Sequence, residues 1–522
     1  MSQKIILLGL DGATWSQFDQ YLKEGVMPNL DLIIKNGIRG NFRSFFPFTS
    51  RASWISILTG TNAGKHGVPH HGVKEKQKVP SIWKILSNYN VKTIVVHDLV
   101  TYPPLDINGI MITGGYATPP SAKNFIHPSR ISHEVNQVSN NYIPSLGSNT
   151  FEKLKNNLIE EAFQERMNYD EKIINTSLYL AKKYDWEVLS ITLENPDAFH
   201  HVFWDKPQYL KKFYFWLDKK LGEIYEIAKE QNASLIIISD HGCGPIKKHF
   251  LVNTWLRKEG FTKFGDLGIV RKKLTKTKFK RDYIRKSLSK LHARNIASKI
   301  TPHKIKMMIP LEEDETAFID ENSSQVFSEA YNSIKTNIED PTKREKLVNS
   351  IIEKLLQIED NGNKVVDEVY KREDVFNGPY VNRAADIQFL LKEGYRWTSH
   401  IRDTHYLLEP KEFDLIRSGD HRPDGIIIAT GPNISKGKIL EKSPILWDIS
   451  PTILHMLKID IPSYMDGNPI KEIFDKKSEL YKREIKFQDV NTKKLNYNLD
   501  STKYSKEEEE EIKKTLKDMG YL

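Results

Sequence analysis

Six residues of this chain offer hard carboxylate oxygens or imidazole nitrogens where apolar runs end: Asp11, Asp197, His201, Asp240, His241 and His421. Asp197 and His201 are four apart, so a helix would set both on one face, within reach of one cation, and direct His200 elsewhere. Asp240 and His241 are adjacent at the end of the run 235–239, where Gly242 and Gly244 permit the turn that would let both coordinate. Asp11 closes the run 4–10, and His421 lies in Gly419-Asp-His-Arg-Pro-Asp424. This donor set suits zinc or manganese better than calcium. Six ligands are enough for two ions roughly 3.5–4 Å apart. A hydroxyl between the ions would complete such a site. Thr49 and Ser50 precede a helical stretch, so one of them can bind metal as an alkoxide while helical N–H groups face an anion. Each part also has a plainer reading: a helix cap with a surface histidine at 197–201, an ordinary strand-to-loop transition at 239–242, a loop histidine at 421, and an N-cap at Ser50.

The elements that must position these residues follow from the pattern of the chain. Runs 4–10, 188–193, 235–239 and 424–429 read as strands, with chemistry at their ends where open α/β sheets place it. Helix-length segments alternate with them, which gives an α/β class. Helices are expected over 13–24, from Pro28 to about Gly37, through 54–58 to Gly60, and over 84–89, 150–166, 169–183, 207–231, 342–359 and 448–457, the last capped by Asp448. Phe213, Trp216, Leu217, Leu221 and Ile224 should form the buried face of 207–231. Segments 91–96 and 365–370 read as further strands. The stretch 114–149, rich in Pro, Ser and Asn, is expected to be loop. The charged helix 507–519 reads as surface decoration.

At 522 residues with a single cysteine, Cys243, the chain excludes a disulfide framework and a thiolate metal cluster. Its length suits one large domain with substantial insertions or a second smaller domain. The N-terminus enters the first strand without an apolar leader, and no run is long enough to span a membrane, so a cytoplasmic location is expected. The net charge of +9 is unevenly spread: Arg271, Lys272, Lys273, Lys276, Lys278, Lys280 and Arg281 crowd one segment.

The stretches Gly9-Leu-Asp-Gly12, Met27-Pro-Asn-Leu30, Ser56-Ile-Leu-Thr-Gly60 with Gly64-Lys-His-Gly67, Pro196-Asp197 with His201, Ser239-Asp-His-Gly242 and Gly419-Asp-His421 occur in the order seen in the alkaline phosphatase superfamily. They most resemble its type I phosphodiesterase/nucleotide pyrophosphatase branch, in particular the soluble prokaryotic members. The resemblance covers 4–255 and 360–470. It implies an alkaline-phosphatase-like mixed sheet flanked by helices, with a basic insertion or cap. The catalytic domain would comprise 1–255 and 360–470, the insertion 256–359 and a C-terminal helical extension 471–522. It further implies one ion on Asp197, His201 and His421, and another on Asp11, Asp240 and His241. Ten residues before Gly60 stands the implied nucleophile, Ser50, with Thr49 as the rival one step away. Nucleotide-cleaving members place a phosphoryl-binding Asn where this chain has His71, after His70. That departure counts against a nucleotide-like substrate and leaves His71 as a phosphoryl contact.

These parts imply a phosphodiesterase or pyrophosphatase working by double displacement through a phosphoseryl-type intermediate with two divalent ions, zinc first and manganese second. A phosphate monoesterase is the main alternative, since the metal core does not choose between the two ester classes. A sulfatase would need Cys or Ser followed by x-Pro-x-Arg, and Ser50-Arg-Ala-Ser-Trp54 lacks both Pro and the final Arg. Cofactor-independent phosphoglycerate mutase carries its large insertion before the later metal ligands, whereas the basic segment here follows His241. An anion-binding protein without catalysis is the remaining reading. The segment 271–306 has few aromatic residues and no recognised nucleic-acid module, so nucleic acid is disfavoured as a partner. A small anionic phosphoester drawn in by positive charge is favoured. Peripheral membrane contact stays open, as does the oligomeric state.

Overall fold

Ile5 to Leu10 are buried on both faces of their strand, which explains a continuous apolar run in place of an alternating one. In the computed structural model, which describes residues 3–69, 77–262, 324–328, 331–401, 405–410, 416–490 and 504–518, this strand, Lys4–Leu10, is the middle of a mixed sheet. Among the described residues that sheet has nine strands. Their order is Lys438–Ile439, Gly37–Arg43, Asp424–Thr430, Ala233–Ile238, Lys4–Leu10, Val188–Leu193, Thr93–Asp98, Gly109–Thr113 and Ile126–His127. The central strands run parallel, while Asp424–Thr430 is antiparallel to both of its neighbours. The α/β class and the alkaline-phosphatase-like architecture expected from the sequence are therefore present.

Helices cover this sheet. Pro207–Glu230 buries Phe213, Leu217, Leu221 and Ile224, whereas Trp216 is only partly covered. The same helix explains the Met27-Pro-Asn-Leu30 stretch. Asp218 accepts hydrogen bonds from Asn29 N at 3.2 Å and Leu30 N at 2.8 Å, closing the open N-terminus of Pro28–Lys35 from across the packing interface.

Several local expectations are corrected. Residues 150–183 form two helices broken earlier than expected, Asn149–Lys155 and Ile159–Lys183, because Asn157 adopts a left-handed backbone with φ of 61°. The segment 114–149 contains the helix Ser132–Val138. Asp448 does not cap Ile449–Met456; its carboxylate accepts from Ile445 N at 3.0 Å and Asn468 N at 2.9 Å. The C-terminal helix Lys506–Asp518 is more than decoration, since Ile512 and Leu516 are buried in the main core.

The chain divides into two compact units. Met1–Ile246, Arg372–Ala384 and Asp414–Leu522 make the first, which contains the large sheet. Lys247–Lys371 and Ala385–Phe413 make the second. There the helix Pro341–Leu355 buries Val348, Ile351 and Leu355, and a smaller sheet runs Val366–Lys371, Ile387–Leu391, Ser333–Thr336, Val326–Phe327. The basic segment 271–306 lies outside the described residues.

Candidate metal centre

Three adjacent parallel strands set the site. Lys4–Leu10 lies between Val188–Leu193 and Ala233–Ile238, and the C-terminal ends of all three open on the same edge. Asp11 directly follows Leu10, the Asp240–His241 pair lies just beyond Ile238, and Asp197 sits in the helix that begins just beyond Leu193. His421 arrives from Gly419–Arg422, a short strand antiparallel to Gly242–Leu251, with His421 opposite Cys243. Asp197 and His201 share the helix Asn195–Phe203. His200 is turned away, between Gly12 O at 3.0 Å and the Tyr214 hydroxyl at 2.7 Å.

Glycines at the first strand end make this convergence possible. A side chain at Gly9 would meet the Trp54 ring at 2.3 Å, and one at Gly12 would meet Asp197 at 2.7 Å. Gly12 also has φ of +66°, which turns the chain away from the strand just after Asp11. Gly242, expected to supply a sharp turn, is instead extended. It is needed because a Cβ there would lie 2.1 Å from Asp424 O.

The six residues gather into two buried triads. In one, His201 Nε2 lies 3.0 Å from Asp197 Oδ2 and 3.1 Å from His421 Nε2, and His421 Nε2 lies 3.4 Å from Asp197 Oδ1. In the other, His241 Nε2 lies 3.6 Å from Asp11 Oδ1 and 3.4 Å from Asp240 Oδ2. Within each triad the donor atoms fall inside 4.8 Å of one another. The triads adjoin, because the His241 and His421 rings stack with centroids 3.8 Å apart.

The surroundings fit cations. Each histidine has Nδ1 against a main-chain carbonyl: Gly419 O at 2.8 Å for His201, Phe48 O at 2.8 Å for His421 and Gly242 O at 3.0 Å for His241. With Nδ1–H donating, every Nε2 presents a lone pair to its triad. Burial, with Asp240 and Asp197 nearby, pushes the Asp11 carboxyl well above its ordinary range. Burial likewise raises Asp240 to about 7, and its buried Oδ2 has no hydrogen-bond donor. Asp197 behaves differently: burial opposes ionisation, yet His201 and His421 hold it well below the usual value. Burial lowers His201 to about 4 and holds His241 well below its ordinary value, whereas at His421 burial is outweighed by Asp197, which raises it. Imidazoles beside crowded carboxylates are the donor set of a divalent ion.

Of the two rival hydroxyls, Ser50 Oγ enters this cluster. It donates to Asp11 Oδ1 at 3.2 Å and lies 3.2 Å from His241 Nε2. Ser50 is the first residue of the helix Ser50–Thr59. Thr49 occupies the N-cap without a side-chain cap bond, and its buried Oγ1 has no hydrogen-bond partner. His71 lies outside the described residues, as does His70. One contributor was not legible from spacing: Trp54 Nε1 donates to Asp11 Oδ2 at 3.0 Å, although the residue reads as core.

The sequence model of the type I phosphodiesterase/nucleotide pyrophosphatase family matches residues 5–421, most of the chain. The protein belongs to this family. It is thus a member of the alkaline phosphatase superfamily and a metal-dependent hydrolase, with the two triads as its candidate ion sites. No curated protein matches the sequence. Among solved structures, phosphonoacetate hydrolase from Sinorhizobium meliloti 1021, in complex with phosphonoformate, aligns with a TM-score of 0.54 and 14% identity over 88% of this chain and 95% of that one. Human ectonucleotide pyrophosphatase/phosphodiesterase 5 aligns with a TM-score of 0.49 and 16% identity over 90% and 97%. The hydrolase likeness is one of fold. Among the described residues of this family member, no helix is long and apolar enough to cross a membrane.

Proposed function

We propose that the protein hydrolyses phosphoric esters, with diesters or pyrophosphates as the preferred class, through a covalent intermediate on Ser50. The observation that carries this reading is the placement of Ser50 Oγ 3.2 Å from both Asp11 Oδ1 and His241 Nε2, at the first turn of a buried helix. Divalent ions, zinc first and manganese second, would supply positive charge to the Ser50 oxygen from Asp11, Asp240 and His241, and to the leaving oxygen from Asp197, His201 and His421. Ser50 Oγ attacks phosphorus as its proton passes toward Asp11 Oδ1, and the bond from phosphorus to the leaving oxygen breaks. Trp54 Nε1 holds the other Asp11 oxygen and fixes the carboxylate for that role. The N–H groups of the first helical turn are open to the phosphoryl oxygens. Water then cleaves the Ser50–phosphorus bond and restores the hydroxyl. By its place in the sequence, His71 is a further phosphoryl contact.

A panel of chromogenic mono- and diesters identifies a turned-over substrate, and acid quenching followed by peptide mass mapping locates the adduct. The expected adduct is on Ser50, lost in Ser50→Ala and kept in Thr49→Ala. Phosphate alone on the serine is expected from a monoester, and an alkyl phosphate from a diester. An adduct on Thr49, persisting in Ser50→Ala, would refute the assignment.

A further inference from the structure

Asp11 leads into a turn that touches both triads. Gly12, with φ of +66°, swings its peptide groups out of line with the strand Lys4–Leu10. Its N–H donates to Asp240 Oδ1 at 3.1 Å, so Asp240 keeps Oδ2 for an ion. A Cβ at Gly12 would stand 2.7 Å from Asp197 Cβ, which packs the turn directly on the helix Asn195–Phe203. Ala13 O accepts from the Ser239 hydroxyl at 2.9 Å. That leaves the Gly12 carbonyl, and a buried carbonyl needs a donor.

His200 supplies it. The residue is fully buried, and its Nδ1 lies 3.0 Å from Gly12 O. A carbonyl can only accept, so Nδ1 carries the hydrogen, and in the neutral ring Nε2 accepts from the Tyr214 hydroxyl at 2.7 Å. Tyr214 comes from the helix Pro207–Glu230 and is itself buried. Its ring is stacked at 27° to the imidazole, with Trp204 edge-on at 5.3 Å. The imidazole therefore has both nitrogens matched and its plane fixed. Its position along the helix matters as well. Asp197 and His201 serve the histidine-rich triad with His421, whereas His200, between them, faces the turn that bears Asp11. One helix thus holds both halves of the centre.

We propose that His200, anchored by Tyr214, is a positioning residue for the ion site of Asp11, Asp240 and His241, acting through the Gly12 turn. This rests on the two-ion reading above and adds to it a residue that binds no ion. Without the imidazole the buried Gly12 carbonyl loses its donor, and the turn shifts to find another. Such a shift moves the Asp11 carboxylate and withdraws the Gly12 N–H from Asp240 together, since residues 11–13 form one turn.

The test uses the full chain and two amide variants. In His200→Asn the amide nitrogen can stand where Nδ1 stands and still donate to Gly12 O. In His200→Gln the amide reaches the place of Nε2, toward Tyr214, and leaves Gly12 O without its donor. Zinc is titrated into chelated protein against a competing chromogenic chelator, with folding checked by circular dichroism. Wild type and His200→Asn are expected to bind two ions alike, and His200→Gln to bind one of the two about tenfold to a hundredfold more weakly. Wild-type affinities in His200→Gln would overturn the proposal, as would equal losses in both variants. In an Asp240→Asn background, His200→Gln should add no further loss. An added loss would place the effect on the other triad and overturn the route through Asp240. Should His200→Gln not fold, Tyr214→Phe carries the test: a severalfold weakening of one ion is expected, and unchanged affinity overturns the anchoring. Wild-type protein that takes up fewer than two zinc ions would refute the two-ion reading itself, a failure distinct from that of His200.

Discussion

The two triads use the same residue types in opposite proportion. Asp197 sits with two histidines, whereas His241 sits with two aspartates. The first is close to self-neutralising: Asp197 is held ionised by His201 and His421, and Asp197 in turn outweighs burial to raise His421. The second lacks any such balance. Burial and then Asp240 raise Asp11, burial and then Asp197 raise Asp240, and the hydroxyl and indole donors beside Asp11 carry no charge. The asymmetry suits a division of labour. In the proposed reaction the carboxylate-rich triad would concentrate negative charge where a cation also has to hold the Ser50 oxygen, and the histidine-rich triad would serve the leaving oxygen.

Substitutions that remove one member from each triad should break this comparison most sharply. Asp240→Asn and His201→Asn are both expected to lower turnover by roughly a thousandfold or more, as for groups that act as a unit. Their metal-free forms should diverge. Asp240→Asn relieves a crowded pair of buried carboxylates and should raise the Tm of chelated protein near neutral pH. His201→Asn leaves Asp197 without one of its two compensating imidazoles and should lower it. Calorimetry on chelated samples reads both. Equal shifts in one direction would remove the proposed distinction.

A smaller effect sharpens the same contrast through pH. Asp240 titrates from its ordinary 3.8 when unfolded to about 7 when folded and metal-free. Between those values the native state holds the extra proton, so this group makes stability fall as pH rises and level off above about 7. Asp197 has the opposite sign: its depressed value contributes stability above 3.8 that is lost as pH falls through the folded value. Comparing Tm against pH for chelated wild type and Asp240→Asn isolates the first contribution. The wild-type curve should decline more steeply toward neutrality, and parallel curves would contradict the assignment.

Much of this arrangement was legible because local pattern and chemistry coincide. Continuous aliphatic runs mark the buried parallel strands, and Asp11 and Asp240 stand at their ends. The four-residue interval from Asp197 to His201 is a helical property, and the helix is there. His421 was harder to place, since its strand exists only through antiparallel pairing with residues 242–245, far away in the chain. The same limit hid Trp54. An indole inside an apolar helix reads as core until Asp11 is seen against its N–H. Likewise, the helix Lys506–Asp518 is charged with few apolar residues, yet Ile512 and Leu516, four residues apart, are buried in the main core.

The most direct measurement of the central claim is the ion count. Chelated protein is reloaded with zinc, freed of excess metal and analysed for zinc per chain, beside Asp240→Asn and His421→Ala treated in the same way. Two ions in the wild type and fewer in each variant are expected. Wild-type protein that retains less than one zinc, with no dependence on Asp240 or His421, would contradict a pair of metal sites built from these triads.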